Sequence, residues 1–152
     1  MMVMTARVHK KKLILVLAAL AAVILLGVLL FSGSDTQTAA PSLASNDGRV
    51  KFLESLGWQV NASPKESGQV RIPETTNEVF DRYNALQKSQ GYDLTPFAGK
   101  TVMRYVYQVK NFPNATDPVY ATLLIYKDQV IGGDITDTSP TGAIQGLKST
   151  LP

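Results

Sequence analysis

Cysteine is absent from the 152 residues, and the one histidine, His9, lies in a basic stretch near the N-terminal end. The first absence excludes a disulfide framework, a thiolate zinc site and a lipid-bearing lipobox cysteine. The second removes imidazole chemistry from the rest of the chain. An excess of one charge is also missing where it would matter. The formal charge is +3, but Arg7, Lys10, Lys11 and Lys12 precede a long apolar run, and beyond that run eleven Lys/Arg stand against twelve Asp/Glu, a net of one negative charge. That balance gives no footprint for nucleic acid. A chain of this length holds one domain at most, and without disulfides its core alone must stabilise it.

What the chain does have is an apolar run from Leu13 to Phe31, LILVLAALAAVILLGVLLF, nineteen residues with no polar side chain. As a helix it would span about 28 Å, close to the hydrocarbon thickness of a bilayer. A cleavable signal peptide is the rival reading, and Ser32-Gly33-Ser34 offers small residues for cleavage, but such apolar cores usually run only about 7 to 15 residues. The four basic residues before the run and the lack of any from Ser32 through Gly48 place the N-terminus inside and the bulk of the chain outside. The expected organisation is a cytoplasmic basic flank (1–12), a transmembrane helix (13–31), a flexible tether (32–45) and an extracytoplasmic domain (46–148). Ala18 and Ala22 have the small-xxx-small spacing that lets two spanning helices approach, a weak signal because Ala is common there.

The domain is expected to be α+β. Asn46-Asp47-Gly48 signals a helix start, with Val50, Leu53 and Leu56 on one stripe and Gly57 as the residue after the cap. Trp58–Val60 and Val70–Ile72 alternate as two short strands. Thr75 and Glu78 have capping-box spacing, followed by Val79, Phe80, Tyr83 and Leu86 at helical intervals up to Gly91. TVMRYVYQVK from Thr101, VYATLLIY from Val119 and VIGGDI from Val130 then read as three longer strands joined by short connections. The expected architecture is an antiparallel sheet of about five strands, a short hairpin plus a three-strand meander, with two helices on one face. Ala143–Leu147 is expected to add at most a final helical turn.

Three stretches carry a resemblance: RVKFLESLGWQV at 49–60, GYDLTPFAGKTVMRYVYQVKNFP at 91–113 and YATLLIYKDQVIGGDI at 120–135. In that order they resemble a family of uncharacterised membrane-anchored proteins from clostridial and related Gram-positive bacteria, classified as a domain of unknown function. The resemblance covers most of the domain and implies an N-terminal span. It brings no activity and no functional residues.

Candidate chemistry is sparse. Ala98-Gly99-Lys100-Thr101 has the end of a phosphate-binding loop, but Leu94 stands where the motif needs glycine, and a strand follows where it needs a helix. Gly132-Gly133-Asp134 offers either a carboxylate beside closely approachable backbone or a bulge packed under a helix. Asp128, Asp134 and Asp137 lack a calcium-loop spacing. Glu74, Glu78 and Asp81 sit where acids complement a helix N-terminus. No serine stands three residues before a lysine, so a Ser-Lys nucleophile has no local support. No catalytic, cofactor or metal residue is assigned, and the chain is not expected to be an enzyme. Most of the aromatics, Trp58, Phe80, Tyr83, Phe97, Tyr105, Tyr107, Tyr120 and Tyr126, are expected in the core, leaving room for a Tyr/Arg patch with Arg104, Tyr105 and Tyr107 as the candidate interaction surface. The expected function is a single-pass envelope module that binds an envelope protein or serves structurally. The alternatives are a cell-wall glycan-binding domain using exposed aromatics and, third, a hydrolase.

Overall fold

The computed structural model describes residues 42–149. Helix α1 (Asn46–Ser55) starts at Ser45, whose hydroxyl accepts the Gly48 N–H at 3.0 Å. It ends in a Schellman pair: Trp58 N–H bonds Leu53 O and Gly57 N–H bonds Glu54 O, with Gly57 at φ 92°, a conformation that favours glycine. Strand β1 (Glu66–Arg71) follows, then helix α2 (Glu78–Ser89). The cap of α2 is Asn77, whose side chain accepts the Phe80 N–H at 2.9 Å, in place of the Thr75 capping box expected from spacing. A 3-10 turn (Thr95–Phe97) leads through Gly99 into β2 (Thr101–Val109), so the Gly-Lys-Thr segment is a turn before a strand. Strands β3 (Val119–Tyr126), β4 (Gln129–Asp137) and β5 (Ile144–Gly146) complete the order.

The five strands form one antiparallel meander, β1-β2-β3-β4-β5. It is an α+β domain with five strands and two helices, but three details depart from expectation. Trp58–Val60 is not a strand. Val60 makes a single bridge to Val109, and Trp58 is fully buried, its indole N–H donating to Leu147 O at 2.7 Å. The fifth strand is instead β5, where a helical turn was expected; Ile144 to Gly146 pair with Thr136 to Asp134.

The helices also lie on opposite faces of the sheet, not on one. Tyr107, Ala121, Leu123 and Ile135 share a core with Leu53 of α1, Trp58 and Leu147. Val102, Leu124 and Ile131 share another with Phe80 of α2, Ile72 and Leu94. In the register Tyr107 pairs Ala121 and Tyr105 pairs Leu123, while Val106 pairs Thr122 and Arg104 pairs Leu124, so the two sets alternate through the sheet. Both faces of β2 carry apolar residues, and each needs its own cover.

Between Leu124 and Ile125 the β3–β4 register shifts, a bulge with Ile131 as the extra residue on β4. A Cβ on Gly132 would come within 2.9 Å of Gln87 Oε1 under α2; one on Gly133 would meet Thr122 O at 2.3 Å and Leu147 Cδ1 at 2.5 Å. The close approach lets α2 act as a neighbouring strand: Gln87 Oε1 accepts the Gly133 N–H and Gln90 Nε2 donates to Gly133 O, both at 2.8 Å.

Among the described residues no helix is long and apolar enough to cross a membrane. The run at 13–31, the basic flank before it and the tether up to residue 41 lie outside the described residues.

Candidate functional site

Alternation along β4 sends Asp134 toward α2, opposite Thr122 on β3 and Gly146 on β5. Its carboxyl is buried, with the residue 6% exposed. Phe80 anchors α2 on the sheet, and Tyr83, three residues on and therefore on the same helical face, brings its hydroxyl to Asp134 Oδ2 at 2.8 Å. Thr136 Oγ1 donates to the other oxygen, Oδ1, also at 2.8 Å. Burial, the largest influence, pushes the Asp134 pKa up, and hydrogen bonds from Thr136 and Tyr83 with the nearby charge of Arg104 only partly oppose it. Burial together with the adjacent carboxylate pushes the Tyr83 hydroxyl well above the usual tyrosine value.

These groups form one wall of an open cleft of about 370 Å³ between α2 and the sheet. The rest of the lining is apolar and includes Val70, Ile72, Phe80, Leu94 and Leu124. Leu94 is held there because Asn84, buried on α2, accepts the Leu94 N–H at 2.8 Å and donates to Asp93 and Thr95. Arg104 stands at the rim, where it donates to Glu66 at 3.1 Å and also lines a smaller polar depression with Lys65, Tyr120 and Thr136. Lys65 caps that depression, bonded to the Tyr120 hydroxyl and 4.4 Å from its ring centre. On the outer flank Val79 and Ile144, 75% and 56% exposed, continue the apolar surface past Tyr83.

Of the three residues expected to form an interaction surface, only Arg104 belongs to this cleft. Tyr107 is fully buried under α1, accepting from Arg49 Nε at 2.9 Å and donating to Asn46 Oδ1 at 3.0 Å. Tyr105 is half-buried on that same face with the Arg49 guanidinium 3.8 Å over its ring. The three therefore do not make one surface. Tyr83, Thr122 and Thr136 carry the cleft's polar wall and had no motif to mark them. Asp134 had one, the glycine pair before it: Gly132 lies close under the helix, and the carboxylate lines the cleft. Among the described residues no group of three or more His, Cys, Asp or Glu side chains is placed to hold a metal ion.

The cleft residues from Val70 to Asp134 fall inside the segment that matches a protein-family model, residues 52–135, described as a domain of unknown function, DUF4830. The chain belongs to the DUF4830 family. The matched DUF4830 segment runs from Phe52 in α1 to Ile135 in β4 and so includes Leu53, all of α2, the bulge and Arg104. β5 and the lead-in before α1 lie outside it. Comparison with the curated proteins and with the solved structures returns no match.

Proposed function

We propose that this DUF4830 chain is a non-catalytic binding module, held at the outer face of a membrane by residues 13–31, whose α2-face cleft receives its ligand. The observation that carries this reading is the cleft itself: a mostly apolar lining with a few convergent polar groups and a buried carboxyl of raised pKa is the common form of a small binding site. Binding is favoured over hydrolysis because Asp134 is the sole carboxyl lining the cleft, and its Tyr83 and Thr136 donors hold it in place. A two-carboxylate mechanism would need a second acid within about 5 to 9.5 Å. The glycan alternative has little to stand on, since Trp58 and Tyr107 are fully buried and the half-buried Tyr120 is engaged by Lys65.

The test uses photoreactive residues introduced in intact cells at positions 136 and 144, on the cleft, and at 110, an exposed position just past the end of β2. Adducts at 136 and 144 but not at 110 are expected. Equal labelling at all three, or none, would reject the cleft as the binding surface. For the location, protease added to wall-stripped cells should remove everything beyond residue 31 and spare the basic N-terminus; digestion only after lysis would reject it.

A further inference from the structure

We infer that the cleft on the α2 face takes the ammonium head of a small apolar α-amino compound, with Asp134 receiving the head and the Val70–Ile72–Phe80–Leu124 wall receiving the hydrocarbon. This deepens the binding reading given above and rests on the same cleft. The argument begins with an imbalance. A buried carboxylate costs several kcal/mol unless a cation or a full set of donors compensates it. Asp134 has hydroxyl donors in Tyr83 and Thr136, one on each oxygen, with the Thr122 hydroxyl a third beside it, and forms no ion pair among the described residues. An ionised carboxylate offers about four lone-pair sites, so room remains for a further donor. Arg104, the one cation lining the cleft, is paired with Glu66 at the rim.

A ligand ammonium supplies what is missing: three donors in a compact head, and a positive charge in direct contact, where Arg104 acts only from the rim. A hydroxyl ligand would supply a donor without the charge, and an anionic head would meet the carboxylate's repulsion. The apolar wall then selects for a branched or straight hydrocarbon beside that head, and a volume of about 370 Å³ accommodates a residue with part of a following one. Two sources share this chemistry, a free apolar amino acid and the N-terminal residue of a peptide. The second fits a cleft that stays open on its outer flank at Ile144 and Val79.

The experiment titrates the full-length chain in detergent micelles with L-leucine, leucinamide, Leu-Gly-Gly and 4-methylvalerate, which keeps the hydrocarbon and lacks the amine, by calorimetry and by amide chemical-shift changes. Binding of at least one amine, at least tenfold tighter than 4-methylvalerate, is expected. Tighter binding of Leu-Gly-Gly than of leucine identifies a peptide N-terminus; the reverse identifies a free amino acid. Asp134→Asn should weaken amine binding at least tenfold. Should Asp134→Asn misfold, Val70→Trp serves in its place: it fills the apolar end, leaves Asp134 untouched, and should abolish amine binding with an unchanged circular dichroism spectrum. Failure of all three amines to bind, equal binding of 4-methylvalerate, or full amine binding by whichever variant folds would overturn the inference. Cleft-specific adducts in cells with no amine binding would refute this ligand class alone, so the two readings fail separately.

Discussion

The two faces of the sheet are built from the same three strands yet resolve their interiors differently. On the α1 face Leu53, Trp58, Tyr107, Leu123, Ile135 and Leu147 are all fully buried, and polar atoms close on one another. Arg49, a buried cation, is consumed by Tyr107 and by the carbonyls of Leu43 and Ala44 at 2.8 and 2.9 Å, which fastens the chain leading into the domain. Asp128 completes that fastening by accepting the Ala44 N–H at 2.6 Å from the β3–β4 turn. The α2 face has fewer large buried side chains, an open cleft, and a carboxyl that is in no ion pair among the described residues. A small domain without disulfides obtains its stability from a face packed to completion, which leaves the other free to carry an unfavourable group for a ligand's use.

Substitutions that break this contrast should differ in size in a fixed order. The largest effect is expected for Trp58→Ala, which empties the biggest buried site and orphans Leu147 O; truncations of this kind cost about 3 to 5 kcal/mol. Its measure is the urea midpoint of the full chain, and a loss below about 1 kcal/mol would mean the α1 face is not the stabilising one. Next come the adjacent glycines, which point to opposite faces. Gly133→Ala drives a methyl against the Thr122 carbonyl and Leu147, an overpacking expected to cost about 1 to 3 kcal/mol. Gly132→Ala meets only the ends of Gln87 and Leu94 and should cost less than Gly133→Ala in the same assay. Equal losses would remove the distinction between a closed and a yielding face. Smaller again is Tyr83→Phe on the open face, which strips one donor from Asp134 and should cost about 1 to 2 kcal/mol, read as a lower thermal midpoint.

How far the sequence reveals this contrast depends on whether a feature is local. Strand β3 matches its expected bounds because alternation and turn residues at both ends mark it, and Gly57 is legible as the residue after the α1 cap because positive φ and glycine go together. The β5 strand is not legible in the sequence because three residues ending in glycine have no period of their own; only the partner strand β4 makes them a strand. The Trp58–Val60 segment alternates like a strand, but its tryptophan is drawn into the core and only Val60 reaches a neighbour. Apolar residues on both faces of β2 are visible in TVMRYVYQVK, while which helix covers which face is decided by the crossing of the chain. At the site, Arg104 and Asp134 stood out singly. Their assembly did not, since Tyr83 and Asp134 are 51 residues apart and no short motif joins them.

The smallest expected effect is a pH dependence whose sign differs between two aspartates. Asp134 is buried, so its native pKa lies above the value it has in the unfolded chain; the folded state then holds its proton more tightly, and stability falls as pH rises from the unfolded value through the native one. Asp93 is the reverse case: its carboxylate accepts the Thr95 N–H at 2.9 Å and a bond from Asn84, which lowers its pKa from 3.8 to about 2. Its contribution is present above 3.8 and is lost as pH falls toward 2. Thermal midpoints measured from acid to neutral pH should therefore show Asp134→Asn removing a decline on the rising side and Asp93→Asn removing a loss on the acid side. A ligand ammonium seated at Asp134 would favour the ionised carboxyl and so cancel the first decline while leaving the second untouched. An amine that leaves the Asp134 decline in place would show that the cleft's buried acid is a cost the fold carries for some other reason.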